Sequence, residues 1–207
     1  MKINKNNDND IRNDGENYSA GIKHINHPNH RKLQNFKIKK CIFIYDDVIN
    51  SIVSLFRRNY QANQVKKLTN DRNTLPEEWN LKDYIKNDRD LFEFQQFYYN
   101  WVMNTKSYPT LFVKGQSIYK HRFHILKFLD LPISIKFFKH HQRNSDWFED
   151  LEEEDKHGLY DMYGGFNDFI QLQSDVQVQE AGSTDLISNI SVSQTFTSRV
   201  KTPYADD

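Results

Sequence analysis

Cysteine occurs once in the 207 residues, at Cys41, so the chain can form no internal disulfide and no thiolate-rich zinc site. An excess of one charge is absent too. The 28 Lys+Arg cancel the 28 Asp+Glu, and no global field draws the chain to nucleic acid or a membrane surface. No run approaches the ~18 apolar residues of a membrane span. The opening Met1-Lys2-Ile3-Asn4-Lys5-Asn6-Asn7 is too polar for a signal peptide. These absences point to a reducing, cytoplasmic setting without nucleic-acid or membrane partners. Hydrophobic residues are sparse at 37%, but 14% of the chain is aromatic. Fifteen Phe and eleven Tyr can build a core, because each ring buries a large area. A mean hydropathy of -0.83 then concentrates the polar residues in tails and loops.

Residues 1–36 carry almost no apolar periodicity and read as a disordered segment. From residue 181 a Ser/Thr-rich tail follows, in which Leu186, Ile187, Ile190 and Val192 could form a short strand. Between these tails, residues 37–180 are orderly. Lys40 to Tyr45 is a short apolar run that predicts a buried strand, with Cys41 as an inert thiol. Asp46-Asp47 are placed to cap a helix carrying Ile49, Ile52, Val53, Phe56 and Tyr60 at helical spacing. A second helix holds Leu91, Phe94, Tyr98, Trp101 and Val102 on one side. Tyr108-Pro109 ends it, and Thr110-Leu111-Phe112-Val113-Lys114 predicts a second strand. A third helix is expected over 117–129. A last one is expected over 149–172, where Gly164-Gly165 marks a candidate break. The order strand, helix, helix, strand, helix predicts an α/β domain with a parallel sheet flanked by helices. Two strands are too few for these helix faces, so further strands must come from the tails or a companion chain.

Four blocks in order resemble the sulfotransferase superfamily, especially its sulfotransferase-like members. They are Ile42 through Arg58; Asp90-Leu91-Phe92-Glu93-Phe94 with Trp101; Tyr108 through Val113 with Phe128-Leu129-Asp130-Leu131-Pro132; and Arg143-Asn144-Ser145-Asp146-Trp147 with Leu159 to Gly164. The resemblance covers roughly residues 37–180 and implies a partial P-loop-like fold. In the family the first block holds the 3′-phosphate of 3′-phosphoadenosine 5′-phosphosulfate (PAPS). The implied activity is sulfuryl transfer from PAPS to a hydroxyl or amine acceptor. Ser54 falls on the family's phosphate-binding serine, and Arg143 matches a basic position of the late cofactor segment. His27, next to Pro28, is the nearest counterpart of the catalytic histidine that deprotonates the acceptor.

Three departures accompany the resemblance. Asp46 stands where the family has its phosphate-binding arginine. A carboxylate ~4 Å from a phosphate, at an effective dielectric of about 20, opposes binding by roughly 4 kcal/mol per unit charge. A serine hydroxyl on a charged oxygen contributes only about 1.5–3 kcal/mol. Gly115-Gln116 replaces the family's Tyr-Glu. Nothing in residues 1–40 has the Lys-x-Gly-Thr form of the loop that grips the 5′-phosphosulfate. The alternative expectation is a non-catalytic remnant or interaction protein that keeps the scaffold without donor binding.

His24, His27 and His30 recur at spacing three and admit three readings: a solvated basic segment, a base, or a metal cluster. The acidic run from Glu149 to Asp155 favours a helix N-terminus and predicts no metal site. Phe94, Tyr98, Trp101 and Phe112 sit at core spacing and read as packing.

Overall fold

The computed structural model describes residues 25–30, 33–34, 37–131 and 147–185. Residues 1–24, the basic cluster His140-His141 with Arg143, and the Ser/Thr-rich segment from 186 onward lie outside the described residues.

The uncharged run of β1 (Cys41–Tyr45) forms the expected strand, and Asp47 starts the expected helix. The Asp47 carboxylate accepts from the Asn50 amide at 2.7 Å and so caps α1 (Val48–Arg57). One helix through Tyr60 is expected, but Asn59 takes a left-handed φ of 54° and the chain restarts as α2 (Gln61–Thr69). A capping box of Asn80 and Asp83 opens α3 (Leu81–Asn87). Then come α4 (Phe94–Met103) and β2 (Thr110–Lys114). The helix expected over 117–129 is shorter: a 3-10 turn at Gly115–Ser117 precedes α5 (Arg122–Phe128). The long α6 (Glu153–Leu172) runs through Gly164-Gly165 unbroken and leads to β3 (Val176–Gln179).

The sheet order is β1-β2-β3. β1 and β2 are parallel with Phe43 opposite Phe112, while β3 is antiparallel to β2 with Val176 opposite Val113. The sheet is therefore mixed, where the sequence predicts a parallel one. The short turn after α6 is the reason. α6 ends beside the carboxyl end of β2, where Lys114 Nζ donates to the Gln171 carbonyl at 2.7 Å. Residues 173–175 can only reverse the chain, since a parallel return needs a crossover of about a dozen residues.

The main core lies on the sheet face that carries Phe43, Tyr45 and Phe112, covered by residues of α1, α4 and α6. Phe43 meets Phe112 and Trp101 at ring separations of 5.3 and 5.4 Å. Of the four aromatics expected to pack, Tyr98, Trp101 and Phe112 are buried there and Phe94 is partly buried against the core. The opposite face, with Ile42, Leu111, Val113 and Val176, packs on Ile125, Phe128 and Leu129 in and just after α5. Ile44 on the edge strand stays 57% exposed. No helix among the described residues is long and apolar enough to cross a membrane.

Candidate functional site

In a sheet with parallel strands, ligands bind beyond the strands' carboxyl ends, where helix N-termini converge. Here that position lies between the start of α1 and the turn after β2. A helix start attracts anions because its first amides lack partners and its dipole is positive there. In α1 two of those amides are already engaged by side chains. Val48 N–H donates to Asn167 Oδ1 at 2.8 Å, and Asn50 N–H donates to Asp47 Oδ1 at 2.7 Å. The second Asp47 oxygen accepts longer contacts from the Asn167 and Gln171 amide groups, at 3.5 and 3.4 Å. Ser51 Oγ turns back to the Asp47 carbonyl at 2.6 Å. Asn50 Oδ1 adds a buried acceptor with no hydrogen-bond partner among the described residues.

Asp46 lies beside this cap, against Gly115. A Cβ placed on Gly115 would come 2.5 Å from Asp46 Oδ2, so the turn after β2 approaches Asp46 as closely as a glycine permits. Two carboxylates and buried amide oxygens thus surround the helix start. Chemically this arrangement accepts hydrogen bonds and repels anions.

On the other side of the same end, Asp175 gathers three donors. Lys120 Nζ stands 2.8 Å from Asp175 Oδ2 and His121 Nε2 stands 3.3 Å from it, with a further bond from Ser117. The lysine, then the histidine and serine, hold the Asp175 carboxyl down at about 2. Tyr45 Oη donates to the neighbouring Ser174 carbonyl at 2.9 Å, which ties β1 to this turn. No family model, curated protein or solved structure matches the chain.

The residues singled out in the sequence are not gathered at this end. Ser54 is half-buried on α1, six residues past Val48, or roughly 9 Å along the axis from the first amides. His27 lies toward the opposite end of the sheet. Its neighbours Ile25, Asn26 and Pro28 accept through their carbonyls from Trp101, Asn100 and Tyr108, just before β2 begins. His27 Nδ1 accepts from the Asn29 amide at 3.1 Å, so that nitrogen serves the local turn. Arg143 and His24 lie outside the described residues, among which no three or more His, Cys, Asp or Glu side chains are grouped to hold a metal ion. Arg57 and Arg58 do not reach the helix start. Both stack on Trp147, and Arg57 pairs with Asp150 at 3.1 Å, at the far end of α1.

Sequence reasoning missed Asn167, His121 and Asp175. Asn167 sits 119 residues from its partner Val48, and Asp175 sits 54 from His121. The periodicity of α6 does mark Asn167 as inward-facing, one position past Phe166, and a buried polar residue there was the available signal.

Proposed function

We propose that this chain is a non-catalytic α/β interaction protein of sulfotransferase-like ancestry, whose P-loop-like scaffold no longer binds a PAPS-type donor. The observation that carries this reading is the start of α1. Its Val48 and Asn50 amides are satisfied by Asn167 and Asp47, and Asp46 stands beside them. A donor phosphate would have to displace two side chains and approach two carboxylates. Repulsion of roughly 4 kcal/mol per carboxylate exceeds the contribution of about 1.5–3 kcal/mol from a hydroxyl such as Ser54.

The order of the four sequence blocks favours a second reading, an active transferase. It would use His27 as the base, with Ser54 and Arg143 on the donor and a hydroxyl or amine acceptor. Isothermal titration with adenosine 3′,5′-bisphosphate separates the two. No heat of binding is expected at millimolar ligand, whereas a micromolar dissociation constant would overturn the loss of donor binding and favour the transferase reading.

A further inference from the structure

Among the described residues the free edge of the sheet belongs to β1, and its composition does nothing to protect it. Edge strands are commonly blunted by charge, proline or a bulge. Cys41-Ile42-Phe43-Ile44-Tyr45 has neither charge nor proline, and Ile44 is 57% exposed. The other edge strand, β3, is the shorter and more polar Val176–Gln179, alternating valine with glutamine.

The hydrogen-bond phase of β1 is fixed by its inner neighbour. Cys41 N–H donates to the Pro109 carbonyl of the segment entering β2 at 3.0 Å. Because backbone groups alternate along a strand, Cys41, Phe43 and Tyr45 face β2, and Ile42 and Ile44 direct theirs outward. The flanks of the strand carry opposite charges. Lys39 and Lys40 precede it, and Asp46 and Asp47 follow it.

This sequence is its own complement when reversed about Phe43. Antiparallel pairing of two copies centred there sets Ile42 opposite Ile44 and Lys40 opposite Asp46, each twice by symmetry, while the Asp47 carboxylate stays on the α1 cap. The outward backbone phase of Ile42 and Ile44 is the one in which opposed residues exchange both hydrogen bonds. A parallel pairing in register would instead set lysine beside lysine and aspartate beside aspartate, which is destabilising. Lys40 already pairs with Asp130 at 2.6 Å, but Asp130 is largely exposed and such a surface pair yields readily.

We propose that β1 pairs antiparallel with β1 of a second copy of this chain across a two-fold axis at Phe43. The two three-stranded sheets then run on as one. The four isoleucines cluster on one face, which removes Ile44 from water, and the interface is isologous. The pairing does not rest on the donor-site reading: self-association reports the one and bisphosphate titration the other.

Sedimentation velocity of the full chain, from about 5 to about 500 µM, reads the association expected of a small interface. A monomer–dimer equilibrium is expected. Ile44→Lys should leave the chain monomeric with an unchanged far-UV spectrum, since the side chain is exposed in the single copy. Lys40→Glu and Asp46→Lys should each weaken self-association about ten-fold by opposing like charges at both symmetry-related pairs. Mixing the two variants should restore a heterodimer, in which both pairs become attractive again. A monomer at every concentration would overturn the proposal. So would a dimer indifferent to Ile44→Lys and to the charge exchange.

Discussion

Asp90 accepts from Tyr163 Oη at 2.7 Å and from the Glu93 and Gln95 amides, and Tyr163 is hydrogen-bonded in turn to Tyr84. Burial pushes its carboxyl up to about 6 despite these three donors, with the Glu93 carboxylate adding a smaller push in the same direction. A raised carboxyl favours the protonated folded state. Its stabilising effect is complete below the unfolded value near 3.8 and is lost as pH rises through about 6. The swing is about 3 kcal/mol at most, from 1.36 kcal/mol per pKa unit. Urea unfolding at pH 5 and pH 7 should therefore find wild type more stable at pH 5, and Asp90→Asn should flatten that difference. An unchanged slope in the variant would assign the pH dependence elsewhere. Lys106 shows the same burial effect with opposite charge. Its ammonium donates to the Trp101 and Asn104 carbonyls and to Gln179 Oε1, and burial lowers it to about 8. Asp90 was readable from sequence only as part of a family-like block. The three donors that hold it come from α6 and from the chain's own turn into α4, and no local pattern names them.

Among the elements, α6 depends most on a close approach. Gly158 faces α3, and a Cβ there would fall inside the contact distance of Ile85 Cγ2. Gly158→Ala gains about 1 kcal/mol of helix propensity but forces a β-branched side chain to move, at a cost of about 1–3 kcal/mol. The second effect is expected to win, giving a net loss measurable by thermal unfolding. Ile85→Ala introduced beside it should remove the penalty of the added methyl. The elements legible in the sequence are those whose signal is local: β1 and β2 as apolar runs, the Asp47 cap, and the apolar faces of α4 and α6. The boundary between α1 and α2 was hidden because Tyr60 continues the helical spacing past the left-handed Asn59. β3 was hidden because half of it is glutamine. Gln179 is buried only because Lys106 and the Val102 carbonyl satisfy its amide. Gly164-Gly165 suggested a break that did not occur, since tertiary burial of Tyr163, Gly164 and Phe166 outweighs a propensity loss of about 1 kcal/mol per glycine.

For the whole molecule, the two ends of the sheet carry different chemistry. The amino end of β2 receives the histidine-bearing segment around His27, packed on α4. The carboxyl end carries Asp46, Asp47, Asn167 and the Asp175 cluster. A transferase would need base and donor site together, and 15 Å or so of strand separates these ends at about 3.3 Å per residue. The departure at Asp46 could be read from sequence. The closure of the helix start by Asn167 could not, because it needs α6 folded back along α1. The most direct measurement is an amide spectrum of the ¹⁵N-labelled full chain titrated with adenosine 3′,5′-bisphosphate. Val48 and Asn50 resonances should stay in place at millimolar ligand, their amides remaining bonded to Asn167 and Asp47. Saturable shifts of those two amides would contradict the closure and make the helix start a phosphate site.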